Sequence, residues 1–122
     1  MMKKVLVADD DLDVHELVRD ILQINFKQVK VERALSTKSF LKKLDDAKDP
    51  YDLILFNIRL NENGNNCLSS VQQQYPSIME RIILLADSPE EREQQFSRRM
   101  PCVSKPFSLD RFGEVIKKVC SS

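Results

Sequence analysis

A doubly wound α/β fold, with helices on both faces of a parallel sheet, is predicted by three observations. Short apolar runs alternate five times with segments of helical period. Two of those runs, Leu53-Ile54-Leu55-Phe56 and Ile82-Ile83-Leu84-Leu85, are apolar at every position, as strands buried on both faces must be. The chain has 122 residues, enough for one domain with one core over 1–122.

Each element has a local reason. Val5-Leu6-Val7-Ala8 is a short apolar run ending in acids. Val14, Leu17, Val18, Ile21 and Leu22 then recur at helical spacing, with His15 expected on the solvated side. Val29 and Val31 alternate with Lys30 and Glu32, the pattern of a half-exposed strand. Ser36 is placed to cap a helix carrying Phe40, Leu41 and Leu44, and Asp49-Pro50 breaks it. Residues 61–66 form a loop by composition. Leu68, Val71 and Tyr75 mark a third helix, closed by Pro76. Ser88-Pro89-Glu90-Glu91 supplies an N-cap, a proline at the first turn and a capping glutamate for a polar fourth helix. Cys102-Val103-Ser104 is a short last strand. Ser108 caps a final helix with Leu109, Phe112, Val115, Ile116 and Val119 on one stripe.

Composition narrows the function classes. Basic and acidic residues number 19 each and the net charge is +0, which gives no electrostatic footing for nucleic acid or an anionic membrane. The Arg98-Arg99 pair reads as a solvated face. No apolar run is long enough to cross a bilayer, and the run at Val5 is too short for a signal peptide, so a cytoplasmic protein is expected. Cys67, Cys102 and Cys120 fit neither a disulfide framework nor a zinc pattern and read as small hydrophobes.

In open parallel sheets, ligands sit beyond the carboxyl ends of the strands. Asp9, Asp10 and Asp11 follow the first strand, Asn57 the third, Ala86 and Asp87 the fourth and Lys105 the fifth. Two carboxylates at about 4 Å repel by about 4 kcal/mol at an effective dielectric of 20, so such a cluster needs a cation, a lysine or a proton. Mg²⁺ suits oxygen ligands, and a lysine opposite suits an acid or a phosphoryl oxygen. Asp11 and Asp13 also suit the N-cap and first turn of the following helix.

The runs Val5–Asp11, Tyr51–Asn57 and Ser104-Lys105-Pro106-Phe107 resemble the response-regulator receiver domain, and the resemblance extends from about Lys3 to Val119. It implies a flavodoxin-like (βα)5 sheet of strand order 2-1-3-4-5. It implies that Asp9 and Asp10 hold Mg²⁺, helped by residue 57 and the backbone carbonyl of Arg59. It puts the phosphoacceptor at Asn57, the switch hydroxyl at Ala86, the phosphoryl-binding lysine at Lys105 and the aromatic switch at Cys102. A cis Lys105–Pro106 bond is also implied. Asn57 is a neutral amide, Ala86 has no hydroxyl and Cys102 has no ring. Asn61 and Asn65 likewise depart from the family's common proline and glycine.

The expected function is therefore that of a pseudo-receiver in two-component phosphorelay signalling, acting by protein–protein contact without aspartyl phosphorylation and binding Mg²⁺ weakly. Its partners would be a histidine kinase or a downstream signalling protein, with homodimerisation through the fourth helix, fifth strand and fifth helix. Arg59 would pair with Asp9 or Asp10, or stay an exposed loop charge. A conventional receiver whose acceptor is altered, or bypassed by Asp10, is the alternative. A small phosphatase with Asp9 as nucleophile and Asp11 as acid is a third reading, disfavoured by the short chain. Ser122 lies two residues past Cys120, and a stand-alone receiver and one domain of a longer regulator are both compatible with the sequence.

Overall fold

The computed structural model describes residues 2–60, 64–88, 100–105 and 107–120. Five strands form one parallel sheet: β1 (Lys3–Ala8), β2 (Val29–Ala34), β3 (Leu53–Asn57), β4 (Ile82–Ala86) and β5 (Cys102–Ser104). Their spatial order is β2-β1-β3-β4-β5, the order the resemblance implies. Helices α1 (Leu12–Asn25), α2 (Thr37–Asp46) and α3 (Gly64–Gln74), and a C-terminal helix (Leu109–Cys120), complete the described layers. The expected fourth helix and the Lys105–Pro106 bond fall on residues 89–99 and 106, outside the described residues.

Alternation along the strands divides the core in two. Leu6, Ala8, Ile54, Phe56, Leu84 and Ala86 face α2 and α3, where Phe40 meets Phe56 edge to face at 4.9 Å. Val5, Val7, Leu53, Leu55, Ile83 and Leu85 face α1 and the C-terminal helix. β3 and β4 are buried at all positions, which is why their sequences carry no alternation.

The capping residues act as their chemistry predicts. Asp11 accepts from the Asp13 N–H at the start of α1. Ser36 and Ser39 form a reciprocal capping box on α2. Ser108 accepts from the Arg111 N–H at 3.3 Å. α3 ends at Gln74, before Pro76, and a 3₁₀ segment (Pro76–Arg81) that the sequence did not signal leads into β4.

Two expectations need correction. α3 begins at Gly64, inside the stretch read as loop. A Cβ at Gly64 would collide with the Ile58 carbonyl, so the glycine permits this close return of the chain after β3. On α1, His15 is buried and Leu17 is 40% exposed, the reverse of the periodic reading. His15 shares a face with Val18 and Leu22 at three and seven residues' distance, whereas Leu17 lies on the opposite flank of the stripe.

Candidate functional site

Register sets the site. Ala8 stands beside Phe56 and Phe56 beside Leu84, so the ends of β1, β3 and β4 lie abreast. Ala86 stands beside Ser104, which brings Lys105 to the same edge. The charged groups therefore converge because the strands end together, not because they are close in sequence.

Asp9 is fully buried. Its Oδ1 accepts from the Asp11 N–H at 2.9 Å and its Oδ2 accepts from Asn57 Nδ2 at 3.0 Å. Burial pushes its carboxyl above the ordinary carboxylate value, and the hydrogen bonds from Asn57 and Asp11 and the Lys105 charge only partly offset that. The Asp10 charge raises it further, while Asp10 itself is exposed.

The Asn57 amide is the hub. Nδ2 donates to Asp9 and also to Asp87 Oδ1 at 3.1 Å, while Oδ1 accepts from the Arg59 N–H at 2.8 Å. This network fixes the orientation of the amide, because carboxylates can only accept and a backbone N–H can only donate. Lys105 Nζ lies 3.0 Å from Asp87 Oδ1 and 3.7 Å from Asp11 Oδ2. Burial raises the Asp87 pKa, but hydrogen bonds from Lys105 and Asn57 and the charges of Lys105 and Arg59 outweigh it, and the net shift is downward. Burial likewise opposes charge on Lys105, yet Asp87 foremost, then Asp9 and Asp11, hold its pKa above the ordinary lysine value. The site opens on a cavity of about 570 Å³ lined by Asp13, Val14, Leu17 and Phe107 as well as its own charged groups.

Asp9, Asn57 and Lys105 thus meet at one edge, as expected. Asp10 stands at the margin, exposed. Arg59 is exposed, and its charge acts on Asp87 rather than closing on Asp9 or Asp10. Ala86 is buried, and its carbonyl accepts from the Lys105 N–H. Cys102 is buried against the α2–α3 side of the core. Two contributors carried no assigned role in the sequence. Asp87 was visible as an acid after β4, but its choice between solvent and Asn57 depends on a rotamer. His15 lies 2.6 Å through Nε2 from the Asp9 carbonyl oxygen, a contact made by the turn after β1.

Mg²⁺ demands oxygen ligands in near-octahedral array. Here both Asp9 oxygens already accept hydrogen bonds, and an amide N–H₂ points between the Asp9 and Asp87 carboxylates. Among the described residues no group of three or more His, Cys, Asp or Glu side chains is arranged to hold a metal ion. In this arrangement the amide and the lysine ammonium already supply part of the positive charge that a cation would bring.

The fold and the acid–lysine edge define a class of parallel-sheet domain with its site at the strand ends. The model of the response regulator receiver domain family matches residues 5–117, and the chain belongs to that family. A response regulator from Thermotoga maritima, solved with Mg²⁺ and BeF, is 26% identical with a TM-score of 0.79, covering 97% of this chain and 99% of its own. A putative response regulator from Chloroflexus aurantiacus is 20% identical with a TM-score of 0.82, covering 100% of both chains. A chemotaxis response regulator of Vibrio cholerae is 22% identical with a TM-score of 0.80, covering 98% and 99%. A comparison with curated proteins finds no match. No helix among the described residues is long and apolar enough to cross a membrane.

Proposed function

We propose that this receiver domain signals without aspartyl phosphorylation, as a pseudo-receiver that acts through protein–protein contact in a two-component pathway. One observation carries the reading: the residue at the end of β3 is an amide that donates to both Asp9 and Asp87. An amide does not form an acyl phosphate by attack on a phosphodonor, and this one is already committed at three hydrogen bonds. Lys105, the group expected to bind a phosphoryl oxygen, is engaged by Asp87 and Asp11. Ala86 offers no hydroxyl and Cys102 no aromatic ring for the usual relay.

In this reading residues 1–122 form a single cytoplasmic domain, not an enzyme, with weak Mg²⁺ binding. Its partner is a histidine kinase or a downstream signalling protein, nucleic acid is not contacted directly, and a homodimer uses the β5 face. The test is treatment with acetyl phosphate and Mg²⁺, followed by intact-mass analysis under conditions that preserve acyl phosphates. The expected mass is unchanged. Stoichiometric phosphate on any carboxylate, Asp10 included, overturns the proposal and favours a conventional receiver with a bypassed acceptor.

A further inference from the structure

Among the described residues β2 is an edge strand, with β1 on one side and no strand on the other. Its six residues pair with β1 in continuous register without a bulge, and the run contains no proline, so two common ways of blunting a sheet edge are absent from it. The ladder fixes where its backbone groups point. The Lys3 N–H donates to the Gln28 carbonyl and the Asp9 N–H to the Ala34 carbonyl. Backbone direction alternates along a strand, so residues 28, 30, 32 and 34 turn their groups to β1. Val29, Val31 and Arg33 turn their N–H and C=O groups to the open edge.

Side chains alternate too. Val29, Val31 and Arg33 line the α1 side of the strand, while Glu32 lines the α2 side, the face that Lys30 shares. Val29, Val31 and Glu32 are only half-buried, and Lys30 and Arg33 are exposed. Glu32 Oε1 accepts from Tyr51 and Lys43. Its Oε2 has Lys4 Nζ at 3.9 Å, beyond hydrogen-bonding distance, and is placed to take a further ammonium.

We infer that two copies of this chain associate edge to edge through β2, antiparallel about a two-fold axis at Val31, joining their sheets into one. Backbone and charges together select this register. An axis between two residues would set outward groups against inward ones and form no ladder. An axis at Lys30 sets Lys30 against Lys30, and one at Glu32 sets Glu32 against Glu32, like charges directly opposite. Axes nearer the strand ends pair fewer of its residues. With the axis at Val31, Lys30 stands opposite Glu32 of the second copy and Glu32 opposite its Lys30. These are non-hydrogen-bonded pairs, where side chains come closest. Val31 exchanges both backbone bonds with Val31 of the second copy, and Val29 does so with its Arg33. The edge is thus its own complement, as a two-fold interface requires. β2 and β5 are opposite edges of the sheet, so this contact is separate from a homodimer at the β5 face and independent of the pseudo-receiver reading.

The test is sedimentation velocity of the full chain from about 10 µM to about 1 mM at low salt, with amide hydrogen exchange at both ends of that range. A monomer–dimer equilibrium is expected. Protection should grow with concentration at the Val29, Val31 and Arg33 amides and not at those of Lys30, Glu32 and Ala34, which the β1 ladder already protects. Lys30→Glu, at an exposed position, places like charges opposite each other at both symmetric pairs and should weaken dimerisation by about tenfold or more. Val31→Pro removes an outward N–H that β1 does not use and should abolish the dimer while the β1 ladder remains. Should that variant fail to fold, Lys30→Glu decides. A chain that stays monomeric throughout overturns the proposal. So does a dimer that Lys30→Glu leaves unchanged, or one whose concentration-dependent protection falls at β5 and the C-terminal helix instead.

Discussion

Replacing Asn57 with aspartate keeps the side-chain shape and reverses its hydrogen-bonding role. The amide donor that now sits 3.0 Å from Asp9 and 3.1 Å from Asp87 becomes a third carboxylate. Two unit charges at about 3 Å repel by about 5–6 kcal/mol at an effective dielectric of 20, which is a ceiling before any side chain relaxes. The Asp9 contact is buried, and losing a hydrogen bond to a charged group there costs about 1.5–3 kcal/mol. The Asp87 side chain is 38% exposed, so water screens its share to below about 1 kcal/mol, and Lys105 remains beside it. The sum is a destabilisation of about 3 kcal/mol at pH 7 without divalent cations, a large part of a domain's usual 5–15 kcal/mol. The sign follows from linkage. Asp9 has a folded-state pKa above its unfolded one, and a carboxylate placed beside it would raise it further, so the penalty is full at high pH and fades as pH falls through the folded value. Urea unfolding of parent and variant across acid and neutral pH measures it, and added Mg²⁺ should recover stability in the variant alone. A loss below about 1 kcal/mol at pH 7 in low salt without Mg²⁺ would refute the view that the amide neutralises this edge.

Three further outcomes are expected. Glu32 accepts from Tyr51 Oη at 3.1 Å and from Lys43 at 3.3 Å, while burial and then the Glu32 charge push the Tyr51 phenol up to about 12. Glu32→Gln should therefore bring Tyr51 ionisation to lower pH in an ultraviolet titration, and an unmoved titration would contradict this pairing. Lys105→Met should cost under about 1 kcal/mol, and salt should narrow its difference from the parent, because its partners Asp87 and Asp11 are partly exposed; a loss independent of salt would point to packing instead. Gly64→Ala should cost about 1–3 kcal/mol in chemical denaturation, since the new Cβ meets the Ile58 backbone carbonyl, which has no flexible end to yield. A neutral result would mean that the turn after β3 opens freely.

The sequence by itself determined the sheet, the helices that border it and the edge at which the acids and the lysine collect. Those features follow from local periodicity: buried strands show as unbroken apolar runs at Leu53–Phe56 and Ile82–Leu85, and the acids and the lysine mark the strand ends. It also showed an amide at Asn57, a methyl at Ala86 and a thiol at Cys102, which is a matter of residue identity alone. The tertiary structure decided which groups touch. Asp87 joins Asn57 and Lys105 while Asp10 stays exposed, because lateral register across three strands and side-chain rotamers choose among adjacent acids. It also decided that His15 is buried and Leu17 exposed. The two lie on opposite flanks of the same helical stripe, and only the packing of α1 beside β2 selects the flank that turns inward.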